Sequence, residues 1–199
     1  MKKLIIMLLC TITVCGMTSC LDDDDSKKIT AEDVTQAMAT MAGTYEGTML
    51  YAKGLMTVPD TIRNMTWTVD SVITIHHFPQ HIFAESFDKM ADSNMVAAIK
   101  ELPPRDLKCH IGFYDISDGG YMLNVIPDPI AFKAPVGDKV ENCKIVFLNY
   151  NDNSVGVYQK AKKNLMFKMN TYGFYVGANM VSGDLFTPTY FALVSNAKR

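Results

Sequence analysis

From Gly43 onward, apolar and polar residues alternate with a period of two, the spacing that sends successive side chains to opposite faces of a strand. Tyr45, Gly47, Met49 and Tyr51 alternate with Thr44, Glu46 and Thr48, which predicts a first strand. After a turn at Pro59-Asp60, the segment Ile62 to His77 puts Met65, Trp67, Val69, Ser71, Ile73 and Ile75 on one face, against Thr66, Thr68, Asp70 and Thr74. Strands usually run about 3 to 10 residues, so this longer segment is predicted to bend or carry a bulge. Further strands are predicted at Leu107 to Ile116, Tyr121 to Ile126, Val140 to Tyr150, Val155 to Lys160, Leu165 to Asn170, Phe174 to Val181 and Phe186 to Val194. Asp118-Gly119 predicts a hairpin with a type I′ turn, and Asn151-Asp152-Asn153 a second turn. Strand after strand at short, regular spacing, with no alternating helices, predicts a mainly β, antiparallel up-and-down barrel or a sandwich.

Helical spacing occurs in two places. Thr30-Ala31-Glu32-Asp33 reads as a capped start, followed by Val34, Ala37, Met38 and Met41, with Gly43 free to close the helix in the left-handed region. Phe83, Phe87 and Met90, then Met95, Val96, Ile99 and Leu102 after the cap Asp92-Ser93, predict a helical insertion over Ile82 to Leu102, ended by Pro103-Pro104.

Ahead of these elements, Lys2 and Lys3 precede an apolar run from Leu4 to Val14, the layout of a signal peptide over residues 1–19. A membrane-spanning helix needs about 20 apolar residues, and this run is shorter. Met17-Thr18-Ser19-Cys20 resembles the lipobox of bacterial lipoproteins, which implies cleavage before Cys20 and lipidation of that residue. Asp22 to Asp25 resembles the acidic export signal of surface-displayed lipoproteins in Bacteroidota, which implies an outer-membrane, cell-surface location. Four adjacent carboxylates repel one another, so residues 20–29 are expected to be an extended acidic tether with a reach of about 35 Å. One domain, residues 30–199, follows.

Removing Lys2 and Lys3 with the leader leaves 17 of the 19 basic residues against 21 acidic, a net charge of -4 that Asp22 to Asp25 account for. A near-neutral body argues against nucleic acid as a partner. Only Cys109 and Cys143 remain beyond Cys20, both on apolar faces, and free buried thiols are expected.

A short helix leading into Gly43-Thr44-Tyr45 at the first strand, then an up-and-down run of strands, resembles the calycin-like (lipocalin-like) lipoproteins of unknown function from gut Bacteroidota. Lipocalins carry Gly-x-Trp where this chain has Gly43-Thr44-Tyr45, and they place their helix late rather than between strands. The resemblance implies a barrel.

Candidate chemistry is sparse. Adjacent His76 and His77 on a strand point to opposite faces, so they do not aim at one ion with His81 unless a bulge intervenes, and no metal or cofactor is expected. Asp70 and Glu46 are a carboxylate pair on polar faces, read as solvated. No Gly-x-Ser-x-Gly occurs, and no enzyme is expected. Lys160 to Lys163 reads as a solvated turn, and Asp60-Thr61-Ile62 and Asp70-Ser71-Val72 resemble Bacteroidota O-glycosylation sequences. Two function classes remain. In the first, a small apolar or amphipathic ligand occupies a cavity lined by Tyr45, Met49, Met65, Trp67, Val69 and Ile73, the 11 methionines left after the leader suiting an adaptable lining. In the second, a solid barrel contacts another surface protein. Either is tied to the membrane through its N-terminal lipid.

Overall fold

The alternating segments form strands that pair only in antiparallel fashion, and eight of them close into a barrel. A computed structural model describes residues 28–54, 57–89, 91–149 and 154–196. The leader, Cys20, the aspartate run, Met90 and the Asn151-Asp152-Asn153 turn lie outside the described residues. Strands β1 (Gly43–Lys53), β2 (Asp60–Val69), β3 (Ile73–Phe78), β4 (Arg105–Ile116) and β5 (Gly120–Pro127) follow one another around the ring. The chain then leaves for the hairpin of β6 (Ile130–Val136) and β7 (Lys139–Phe147) and returns with β8 (Val155–Gln159) and β9 (Asn164–Val176). After the two-residue β10 (Asn179–Met180), β11 (Thr189–Ser195) pairs with both β9 and β1 and closes the ring.

The segment expected as one long strand, Ile62 to His77, is two strands joined by a tight turn. Asp70 accepts hydrogen bonds from the Val72 N–H at 3.0 Å and from the Ser71 N–H, and the Asp70 N–H donates to the Val72 carbonyl at 3.1 Å. The alternation survives the turn, so Trp67, Val69, Ile73 and Ile75 are all buried, whereas Ser71 is exposed at the tip. Bulges flank the hairpin at Asn64 and His77, both with positive φ, 59° and 53°. Leu165 to Asn170 and Phe174 to Val181 were expected as separate strands, yet β9 covers the first and runs on into the second as far as Val176, and Val181 lies beyond the short β10. The first half of β9 belongs to the barrel; its second half joins β7 and β10 in a small sheet ordered β6-β7-β9-β10. The Asp118-Gly119 hairpin forms without positive φ at either residue, so it is not type I′; the Ser117 N–H donates to the Gly120 carbonyl at 3.0 Å instead.

Each end of the barrel is covered. Helix α1 (Ala31–Met41) starts at a capping box in which the Asp33 N–H donates to Thr30 Oγ1 at 3.1 Å and the Thr30 N–H to Asp33 Oδ2 at 3.0 Å. It buries Ala37 and Met41 over the end where β1 begins, and there the Tyr45 hydroxyl donates to the Met41 carbonyl at 2.6 Å. The other end is plugged by a 3-10 helix, Gln80–Ser86, and by α2 (Ser93–Lys100), so the expected helical insertion is two short pieces. Phe78, Phe83 and Phe191 pack edge to face or tilted, with centroids 5.5 to 5.9 Å apart. The α2 cap Asp92 accepts from the Asn94 and Met95 N–H groups and also from the Gly137 N–H of the β6–β7 turn at 2.8 Å, tying that hairpin to the helix.

Candidate functional site

All six residues expected to line a cavity point inward and are buried: Tyr45, Met49, Met65, Trp67, Val69 and Ile73. They pack on one another and on the opposite wall. Trp67, with 0% exposure, stacks on its cross-strand partner Tyr45 at 6.3 Å and 10°, and meets Phe167 edge-on at 5.7 Å and 88°. The indole lies over Gly47, where a Cβ would come within 2.8 Å of the ring and 2.1 Å of the Val194 carbonyl, so only glycine lets β1, β11 and the ring meet. Burial, and then the neighbouring Tyr158, pushes the Tyr45 phenol well above its ordinary range. Burial does the same to the Cys109 thiol on β4; Cys109 and Cys143 are both free and buried.

The outer surface has two characters. Over β2, β3 and β4 it is polar: Thr68, Thr74 and Lys108 form one cross-strand row, with His76, Asp106 and His110 on the same face. His76 Nε2 is 3.2 Å from Thr68 Oγ1 and its Nδ1 is 3.1 Å from Asp106 Oδ2. The second carboxylate oxygen, Oδ1, accepts the His77 N–H at 3.0 Å. The hydrogen bond from the His77 backbone, then that from His76, holds the Asp106 carboxyl below its usual range. The bulge at His77 makes this possible by turning that residue's N–H toward Asp106, and it leaves His77 exposed rather than inward as strict alternation had it. His110 is exposed, with Nε2 3.1 Å from Asp128 Oδ1. His81 sits apart on the 3-10 helix, and among the described residues no three His, Cys, Asp or Glu side chains converge as metal ligands. Glu46 lies opposite Thr66 while Asp70 forms the hairpin turn, so those carboxylates are not cross-strand partners.

Across β5, β8, β9 and β11 one row of the outer face is apolar instead. Met122, Val157, Met166 and Val194 are consecutive register partners, each half-buried and alternating with the inward Leu123, Tyr158, Phe167 and Leu193. Beside this row, Leu50, Ala52, Pro59, Tyr190 and Ala192 line a shallow groove.

A family described as Domain of unknown function (DUF4840) matches residues 40–176. The chain belongs to this family. The DUF4840 segment takes in β1 to β9, and with them Trp67 and the Thr68, His76 and Asp106 cluster; most of α1, and β10 and β11, lie outside it. No curated protein and no solved structure matches the chain. A closed eight-stranded antiparallel barrel is consistent with a calycin-like fold.

Proposed function

We propose that this DUF4840 protein is a calycin-like lipoprotein of the Bacteroidota type, anchored in the outer membrane through lipid on Cys20 and displayed at the cell surface, whose solid barrel engages another surface protein through its exterior. The packing of the inward side chains carries this reading. The residues that would line a ligand cavity are occupied with packing against one another around Trp67, and both barrel mouths are covered by helices whose apolar side chains belong to the same core. What remains for recognition is the outside, where the Met122, Val157, Met166 and Val194 row offers apolar contact area of the kind that marks protein interfaces. In this reading the lipid on Cys20 supplies the attachment; among the described residues no helix is long and apolar enough to cross a membrane.

Two measurements test the proposal. Cys20→Ala should release the folded protein from the membrane fraction, and its recovery there at wild-type level would sink the anchor. Titration with a long-chain fatty acid should leave the emission of Trp67, the single tryptophan, without a saturable shift. Such a shift, lost in a Met49→Phe variant that crowds the interior further without adding a second tryptophan, would replace the solid barrel with a barrel that binds a small apolar ligand.

A further inference from the structure

We propose that Thr68, His76 and Asp106 form an acyl-transfer site on the outer face of the barrel, with the Thr68 hydroxyl as nucleophile toward small carboxylic esters. The three groups lie in the order such chemistry needs. Asp106 is positioned by two contacts, the His77 N–H on Oδ1 at 3.0 Å and the His76 ring on Oδ2 at 3.1 Å. An ionised carboxylate only accepts hydrogen bonds, so the His76 proton sits on Nδ1 and the Nε2 lone pair faces Thr68 Oγ1, 3.2 Å away. A hydroxyl that donates to an imidazole whose far nitrogen is fixed by a carboxylate is the arrangement by which a weak oxygen nucleophile is activated. His76 keeps 29% of its side-chain surface exposed and Asp106 keeps 51%, so an ester can approach the face.

A residue with positive φ holds the cluster together. His77, at φ 53°, is the extra residue of the bulge between the Ile75 and Phe78 register positions, and its N–H is the donor on Asp106. Non-glycine residues seldom take that conformation, and strain of this kind collects at functional sites. Lys108 lies in the same cross-strand row, two strands over from Thr68 with Thr74 between them, and adds positive charge to this face. Other charged or titratable groups around the face include Glu46 opposite Thr66, Asp70 at the hairpin turn, Arg105 at the start of β4, and His110 paired with Asp128.

The reaction balances as ester hydrolysis. Thr68 Oγ1 attacks the carbonyl carbon while its proton passes to His76 Nε2. The bond from the carbonyl carbon to the alcohol oxygen then breaks, and the proton on Nε2 goes to the departing alcohol, leaving an acyl ester on Thr68. Water, giving its proton to Nε2, attacks this ester, and the carboxylic acid leaves as Thr68 recovers its proton. Thr68 and His76 are the catalytic residues; Asp106 is a positioning residue acting through His76.

The purified folded chain incubated with p-nitrophenyl acetate tests this. We expect nitrophenol release and an acetyl group on the Thr68 peptide by mass spectrometry. Thr68→Val should abolish both, and Thr68→Ser should restore them. His76→Gln should slow release by about 10²- to 10⁴-fold, the usual contribution of a general base. Asp106→Asn should slow it comparably, with the pH profile altered because the amide can hold the wrong imidazole tautomer. Urea unfolding midpoints near wild type identify which variants are folded. Acetylation spread equally over Thr66, Thr68 and Thr74, or an adduct rate unchanged by either His76→Gln or Thr68→Val, would show that the three residues only fasten the bulge, and the proposal falls.

Discussion

Replacing Trp67 separates two contributions that its burial combines. The ring has 0% exposure, stacks on Tyr45 and meets Phe167 edge-on, so Trp67→Ala should cost about 3 to 5 kcal/mol, the range for truncating a large buried aromatic. The indole N–H, however, has no acceptor among the described protein atoms, and an unpaired buried donor costs about 1 to 3 kcal/mol in the native state. Trp67→Phe removes that donor together with about two buried ring carbons, a loss of about 1.5 kcal/mol at about 0.8 kcal/mol per buried methylene. The two changes oppose each other, and the net should lie within about 1 kcal/mol of wild type. Urea unfolding followed by far-ultraviolet circular dichroism reads both variants without relying on the tryptophan, and equal m-values keep the comparison to stability. If Trp67→Phe costs as much as Trp67→Ala, the N–H is satisfied by a buried water and the orphan-donor reasoning fails. If Trp67→Ala costs under about 1 kcal/mol, the inward face is wrongly assigned.

Gly47→Ala should destabilise by about 1 to 3 kcal/mol or more, because the new Cβ meets the Val194 carbonyl and Ser195 Cα, backbone atoms that cannot swing aside; a urea midpoint equal to wild type would show that β11 can shift. The depressed Asp106 carboxyl contributes stability that is full above the ordinary carboxylate value of about 3.9 and is lost as pH falls through its lower folded value. The gap between wild type and Asp106→Asn should therefore be present at neutral pH and close in acid, and a gap that widens below pH 4 would reverse the sign. Cys109, buried in the barrel and raised in pKa by that burial, should resist iodoacetamide in the native protein and react in urea; rapid native alkylation would place it at the surface.

Strand faces were legible because a period of two survives almost any tertiary setting: Tyr45, Met49, Trp67, Val69 and Ile73 were assigned inward from alternation and are buried. The hairpin at Asp70 was hidden by the same regularity. Val69, Ser71 and Ile73 stay in phase through the turn, and only the Asp-Ser pair, able to fold its carboxylate back onto the next amides, signalled it. Strand β6 was missed because Lys133 and Pro135 interrupt its apolar run, and proline belongs at sheet edges, which is where β6 lies. The Thr68, His76 and Asp106 cluster carried no local signal. Its members are eight and thirty residues apart, and only the pairing of β2, β3 and β4 plus one bulge residue brings them together. The sequence pattern placed His76 and His77 on opposite faces, and the bulge undid that.

The closing seam has a consequence for any shortened form of this protein. β11 is hydrogen-bonded to β1 from Gly47↔Ser195 to Lys53↔Thr189 and to β9 from Val194↔Met166 to Tyr190↔Asn170. A chain cut to residues 40–176, the segment shared with its family, keeps seven of the eight ring strands but loses the one that joins the first to the last. What remains is an open, curled sheet with two unpaired margins, rows of N–H and C=O groups able to pair with the same rows on another copy. Because β11 follows every other described strand, a nascent polypeptide passes through this open form before the seam can close, and nonlocal pairings of this kind form late and slowly.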